Sequence, residues 1–482
     1  MILTWESAHA RPPACTSSMN DGRLGPKLSL GHAGSNGLTG YDCRGHAAPP
    51  IPHGRSSFTL ERSAAGGGRP ILNRIQAQPG FVYEAVRLVA EDGGLVIEAV
   101  LRPRALRRPT CSGCTQPGRG YDTLARRRFA FVPLWGLPVF FCYAMRRVAC
   151  PTCGVRVETV PWATGKHQLT TTYAWFLARW AKRLSWTEVA GAFRTTWEHV
   201  FRSVEMAVAW GRQRQDLTGI AAIGVDELQW RRGHHYLTLV YQLDAGAKRL
   251  LWLGEHRQVK TLLRFFRWLG PERSAALRFI CSDMWKPYLR VVAKKAGQAI
   301  HILDRFHIMS HLSKAIDEVR AQEARALKAQ GRAPILTHTR WLLLKRPEHL
   351  TDPQEERLAE LLRHNLKAVR AYLLKEDFQF FWHYISPHWA GRFLDRWCTR
   401  TLRSRIAPMQ KVARMLRAHR TLLLNWFRAK GALSSGAVEG FNNKARVTTR
   451  RAYGFRTFRA IEVALYHTLG ALPEPETTHR FC

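Results

Sequence analysis

Apolar positions recur along this chain with two periods, and the places where the period switches divide it into regions. Residues 1–70 carry neither: 18 of the 70 are Gly or Pro, a share at which a packed core is not expected. They read as a disordered or non-native N-terminal extension. Regular structure is predicted from about residue 75, at "GFVYEAVRLVAEDGGLVIEAVLRPR", where "LVIEAVLRP" alternates as a half-buried strand does. Short strands are expected over 80–160. The pattern is helical over 165–215, alternates between strands and helices over 220–305, and is mainly helical and basic from 305 to 482.

Within 165–215, "LTTTYAWFLARWAKRLSWTEVAGAFRTTWEHVFRSVEMAVAW" keeps a helical period throughout. Ser185 is a plausible N-cap with Glu188 as its capping-box partner, and that helix runs to about Ala192. Thr195 or Thr196 then caps a second helix that turns Trp197, Val200 and Val204 inward, with small Ala190 at the crossing. The pattern reads as a helix-turn-helix whose outer face offers Arg194, Glu198, His199 and Arg202 to a DNA major groove.

Two matched pairs, Cys111-x-x-Cys114 and Cys150-x-x-Cys153, span 42 positions from first to last. Four thiolates make a closed tetrahedral site, so a structural Zn²⁺ is expected. Gly113 and Gly154 supply backbone freedom, and the stretch between the pairs reads as two strands that bring them together. The other six of the ten cysteines (Cys15, Cys43, Cys142, Cys281, Cys398, Cys482) have no evident pairing. That suits a reducing compartment with one metal site rather than a secreted disulfide scaffold.

Charge narrows the partner. Lys and Arg number 74 against 36 Asp and Glu, a formal net charge of +38. A polyanion is implied, and double-stranded DNA fits it best. No run of 18 apolar residues marks a membrane span, and no charged start followed by an apolar stretch marks a secretory leader.

The stretch from "AAIGVDELQW" to "ILDRFHIM" reads as three strands, a helix, a strand, a helix and a strand. That order matches a ribonuclease-H-like core. Asp226 sits in the first strand beside Glu227, Asp283 ends the fourth and Asp304 ends the fifth. An acid at the end of an apolar strand is costly unless paired or metal-bound. In-line cleavage of a phosphodiester gives a reason for it, because two oxygen-held ions, Mg²⁺ or Mn²⁺, serve the attacking and leaving oxygens. A third acid is expected on a later helix, where Glu439 precedes Lys444, Arg446, Arg450, Arg451 and Arg456, a cationic run suited to DNA phosphates. His307 is read as a core histidine or a DNA contact.

The "VDE" strand, "SDMWKPYLRVV", "DRFHIM" and "SSGAVEGFNNKARVTTRRAYGFRTF" resemble the bacterial insertion-sequence transposases of the ISL-three (ISL3) family over roughly residues 80–470. The Cys pairs and the helical segment resemble that family's zinc finger and helix-turn-helix. The resemblance implies a DDE transposase with Asp226, Asp283 and Glu439 as catalytic acids. It also implies a helical insertion over about 310–430 within a core spanning 220–470. Asp283 is preferred to Asp304 as second acid because its strand should neighbour that of Asp226. The reading is a multidomain α/β chain: zinc-finger module, helix-turn-helix, then a ribonuclease-H-like core. It would act as a homo-oligomer on element ends and target DNA, in the bacterial cytoplasm on the nucleoid, with no membrane partner. The alternative is a catalytically inactive DNA-binding regulator derived from a transposase. An RNA-processing nuclease would not need a helix-turn-helix.

Overall fold

The computed structural model describes residues 68–476, apart from 92, 93, 166, 430–434 and 453. The extension expected over 1–70 lies outside the described residues but for its last three positions. All described residues belong to one unit, Thr59–Cys482.

A short helix, α1 (Gly68–Ile75), precedes a five-stranded sheet made of β1 (Phe81–Glu91), β2 (Gly94–Pro103), β3 (Arg119–Leu134), β4 (Leu137–Cys150) and β5 (Gly154–Val157). The path is β1-β2-β4-β3, with β5 paired to β4. Strands β3 and β4 are longer than the short strands expected, at 16 and 14 residues. Cross-strand burial explains their length. Phe131 and Phe141 stack at 4.5 Å, and Phe129, Phe141 and Tyr143 all gather around buried Trp162.

Three helices follow: α2 (Thr171–Trp180), α3 (Trp186–Ala192) and α4 (Trp197–Gln213). The segment leading into α2 adds to the edge of β3: Ala130 N donates to Gln168 O at 2.7 Å, and Thr170 N donates to Ala130 O at 2.9 Å. The helical unit is thereby tied to the sheet. The capping box at Ser185 and Glu188 is present, and Thr196 caps α4. Val200 and Val204 are fully buried and Ala190 nearly so, but Trp197, expected inward, is 57% exposed. It shares the helical face of Val200, yet it is the first residue of α4, and its ring lies 6.0 Å from that of Phe201, a turn later. Periodicity gives the face, but among the described residues that end of it stays largely exposed.

The second sheet comprises β6 (Ala222–Arg231), β7 (His235–Asp244), β8 (Ala247–Glu255), β9 (Phe279–Ser282) and β10 (Ile300–Leu303). Helices α5 (Val259–Leu269), α6 (Pro271–Ala276) and α7 (Lys286–Lys295) lie between β8 and β10 in sequence. The spatial order is β10-β9-β6-β7-β8. The β6–β7 and β7–β8 pairs are antiparallel; β6–β9 and β9–β10 are parallel. Val225 aligns with Ser282, so Asp226 and Asp283 follow at the ends of neighbouring parallel rows.

Alternate residues of β6 serve opposite faces. Ile223 and Val225 pack with Leu262, Phe265 and Tyr288, from α5 and α7. Ala222 and Leu228 face the other core. After β10 the chain forms seven helices with their own core: α8 (Arg305–Ala329), α9 (Arg340–Leu344), α10 (Asp352–Leu362), α11 (Lys367–Gln379), α12 (Pro387–Arg403), α13 (Ala407–Ala418) and α14 (Arg420–Arg428). It then returns to the sheet through α15 (Ser435–Arg451) and α16 (Phe458–Leu469). Gly224 lets α15 approach β6, because a Cβ there would lie 2.7 Å from the Val438 side chain. Among the described residues, no helix is long and apolar enough to cross a membrane.

Candidate active site and metal centres

The four cysteines converge. Cys111 and Cys114 lie in the loop after β2, Cys150 ends β4, and Cys153 sits in the turn before β5. Their sulfurs all lie within 4.8 Å of one another, with Cys114 and Cys150 Sγ 3.5 Å apart. Zinc–sulfur bonds of about 2.3 Å in a tetrahedron set sulfurs roughly 3.8 Å apart, so the quartet fits one ion. The backbone also favours thiolate. Gly113 N donates to Cys111 Sγ at 3.3 Å, and Cys153 N donates to Cys150 Sγ at 3.4 Å. That backbone donation, with help from Thr152, lowers the Cys150 thiol to about 7, while burial and the neighbouring thiols push Cys153 up to about 12. Gly113 is required by close approach, since a Cβ would stand 2.9 Å from Cys153 Sγ; Gly154 is required by its φ of +71°.

The acids form a second cluster, with Asp226 in the middle of β6 and Asp283 and Asp304 just after the ends of β9 and β10. Asp226 is buried, and burial raises its pKa above the ordinary carboxylate range, with Asp304 and Asp283 adding to the rise. Its carboxylate accepts Glu227 N at 2.7 Å and the side-chain amide of Asn442. Asp304 caps α8 by accepting Phe306 N at 2.8 Å and holds His307 Nδ1 at 3.2 Å. His307 Nε2 reaches Asp226 at 3.9 Å. Donation of its Nδ1–H to the Asp304 carboxylate raises His307 to about 9, so the ring is an imidazolium at neutral pH.

Asp283 takes another partner. It accepts Trp285 N at 2.9 Å and Arg257 Nη2 at 3.0 Å. Arg257 lies 2.9 Å from Glu227 Oε1 through Nε, and its guanidinium stacks over Trp285. Glu227 points to the α7 side of β6, where burial and then the Asp283 charge push it up to about 8.

Among the described residues, the acids and histidine within mutual metal-ligand range are Asp226, Asp304 and His307. Asp283 is held by Arg257, and Glu439 lies half-buried on α15, one turn before Asn442 on the same side of the helix. Four carboxyls, Asp226, Glu227, Asp283 and Asp304, thus face two cations, Arg257 and His307. Deprotonated, Asp226 and Asp304 offer oxygen donors of the kind that suits Mg²⁺ or Mn²⁺, while His307, an imidazolium, supplies countercharge beside them rather than a ligand.

The remaining sequence-predicted residues lie on the surface. Lys444, Arg446, Arg450 and Arg451 are exposed along α15. Arg202 is exposed and pairs with Glu198 at 2.6 Å. His199 is half-buried, bonded through Nδ1 to Thr195 Oγ1 at 3.0 Å, and burial lowers its pKa. Sequence reasoning missed Asn442 and Arg257. Asn442 carried a usable signal, its position three residues after Glu439; Arg257, in a loop, carried none.

Comparison with known proteins gives matches of two kinds. A family model described as "Transposase", that of the ISL3 group of DDE proteins, matches residues 223–465. The transposase for insertion sequence element IS1557 of Mycobacterium tuberculosis is 32% identical over 398 residues, covering 77% of this chain and 88% of its own. The transposase for insertion sequence element IS1001 of Bordetella parapertussis is 28% identical over 392 residues, covering 80% of this chain and 95% of its own.

Proposed function

Because the chain belongs to the ISL3 family of transposases, we propose that it binds the terminal inverted repeats of an insertion sequence and cuts and rejoins DNA at the carboxylate cluster. The observation that carries this reading is buried Asp226 on β6 with Asp283 and Asp304 at the ends of the next two parallel strands. The strand order β10-β9-β6-β7-β8 supports a ribonuclease-H-like core.

Asp226, Asp283 and Glu439 would hold Mg²⁺ or Mn²⁺, with Asp304 beside them. When bound, such ions activate the attacking water or 3′-hydroxyl and offset charge on the leaving oxygen. The chain's own groups do the rest. Asn442 orients the Asp226 carboxylate, and Arg257 holds Asp283 against Glu227. The imidazolium of His307 counters the buried charge of Asp226 and Asp304. Lys444, Arg446, Arg450 and Arg451 meet DNA phosphates along α15. The helices α3 and α4 act as a helix-turn-helix presenting Arg194, His199 and Arg202, and the cysteine quartet holds structural Zn²⁺. Joining requires both element ends at once, so the working form is a homo-oligomer on DNA, in the bacterial cytoplasm.

The test is a strand-transfer assay with the element's own ends and Mg²⁺ or Mn²⁺. The wild type should cut and join, and Asp226→Ala should bind the ends without cutting. A wild-type protein that binds the ends but cuts with neither ion would instead be a DNA-binding regulator.

A further inference from the structure

We propose that the cleft between strand β3 and the α3–α4 turn is a groove for the phosphate backbone of the element-end duplex, so that the cysteine module and the helical unit grip one DNA together. This rests on the DNA-binding reading above and assigns a contact surface to β3, which that reading leaves idle.

The cleft has a volume of about 660 Å³, and its lining includes four arginines, Arg126, Arg127, Arg128 and Arg194, and no acid. The four are not equivalent. Arg128 is already neutralised by Glu91 at 2.8 Å and Glu98 at 3.3 Å. Arg127 donates to His167 O at 2.8 Å, a contact that positions its head. Arg126 and Arg194 are exposed and make no ion pair among the described residues. Two sequence-distant segments therefore aim uncompensated charge into one depression, and an anion is the complement.

Two further observations point the same way. The walls are fixed relative to each other, because Ala130 in β3 exchanges backbone hydrogen bonds with Gln168 and Thr170 at the entry to α2. A preformed groove loses little conformational freedom on binding. Arg194 also sits at φ +49°, a left-handed conformation that glycine adopts freely and other L-residues rarely do. That conformation closes α3, with Thr195 N donating to Ala190 O at 2.9 Å, so the backbone of the turn fixes where the Arg194 side chain leaves it.

The groove is continuous with the expected reading face. His199 lines both the cleft and an adjoining hollow that carries Arg202 and His167. A duplex whose major groove received α4 would carry a phosphate strand past Arg194 and onto β3. Phosphate contacts of this kind fix register while base contacts specify.

The experiment uses the full chain and a fluorescent element-end duplex titrated across a salt series, with Arg126→Ala, Arg194→Gly and the double variant. Each lost phosphate contact should reduce the salt slope by about 0.9. Affinity should fall at least about fivefold per substitution, on element-end and random duplex alike. Arg194→Gly should keep or raise the melting temperature while losing affinity, which separates contact from fold. Unchanged slopes in both single variants, with Arg202→Ala still weakening binding, would overturn the groove and leave the DNA-binding reading intact. Weakened binding of single strands only would also overturn it. No binding of the duplex by the wild type would remove both.

Discussion

Asn442, on α15, donates its side-chain amide to the carboxylate of Asp226 on β6, across 216 positions of sequence. Its oxygen accepts the Tyr241 hydroxyl at 2.9 Å, so one buried amide keys the returning helix to the sheet at the acid itself. Replacing Asn442 with Ala removes the partner of the Tyr241 hydroxyl and of one Asp226 oxygen, both buried. The expected destabilisation is about 2–6 kcal/mol, from about 1–3 kcal/mol for each group that loses its bond. Chemical denaturation with and without the substitution checks it, and an unchanged midpoint would mean that the contact does not form in solution.

Single replacement of Asp226, Asp283 or Glu439 by Ala should abolish cleavage and strand transfer while sparing repeat binding. The carboxylates are not the source of affinity for DNA, and their charge opposes it. The informative comparison is with Asp304. Because Asp304 caps the 25-residue α8, its Ala variant would also lose a cap worth about 0.5–2 kcal/mol. Asp304→Asn keeps capping capacity and removes the charge. If Asp283→Asn still cuts and Asp304→Asn does not, both folded, the second acid is Asp304.

His307 predicts a pH dependence. Its pKa near 9 lies above the ordinary 6.5, chiefly through the Asp304 hydrogen bond and despite burial. Its stabilising contribution is therefore fully present below about pH 6.5 and is lost as pH rises through 9. In chelator-treated protein, stability should fall between pH 7 and 9.5 more steeply in the wild type than in His307→Gln. Parallel curves would assign the loss to other groups.

One Zn²⁺ per chain is expected at Cys111, Cys114, Cys150 and Cys153, measurable by elemental analysis. Cys111→Ser should lose it. Gly113→Ala should weaken retention without removing a ligand, since its new Cβ would crowd Cys153 Sγ at 2.9 Å. Full metal content in both variants would move the site elsewhere.

The amino-acid sequence determined what depends on near neighbours. The strand and helix periods, the Ser185–Glu188 capping box, a cap at Thr195 or Thr196 and the two Cys-x-x-Cys pairs are all local patterns, read within a few positions. So was the placing of Asp283 and Asp304 at strand ends, which needs only an apolar run that stops. What lies against those residues was decided by the tertiary structure. Alternation puts Asp226 and Glu227 on opposite faces of β6, but it cannot say that Asn442 and His307 meet the first while Arg257 meets the second. It cannot say that Arg257 claims Asp283 and leaves Asp304 as the carboxylate within reach of Asp226 and His307. Nor does the helical period reveal that the Trp197 end of its face stays largely exposed. Charge interactions and burial act through space, between segments as distant as β6 and α15, and only the folded chain sets those distances.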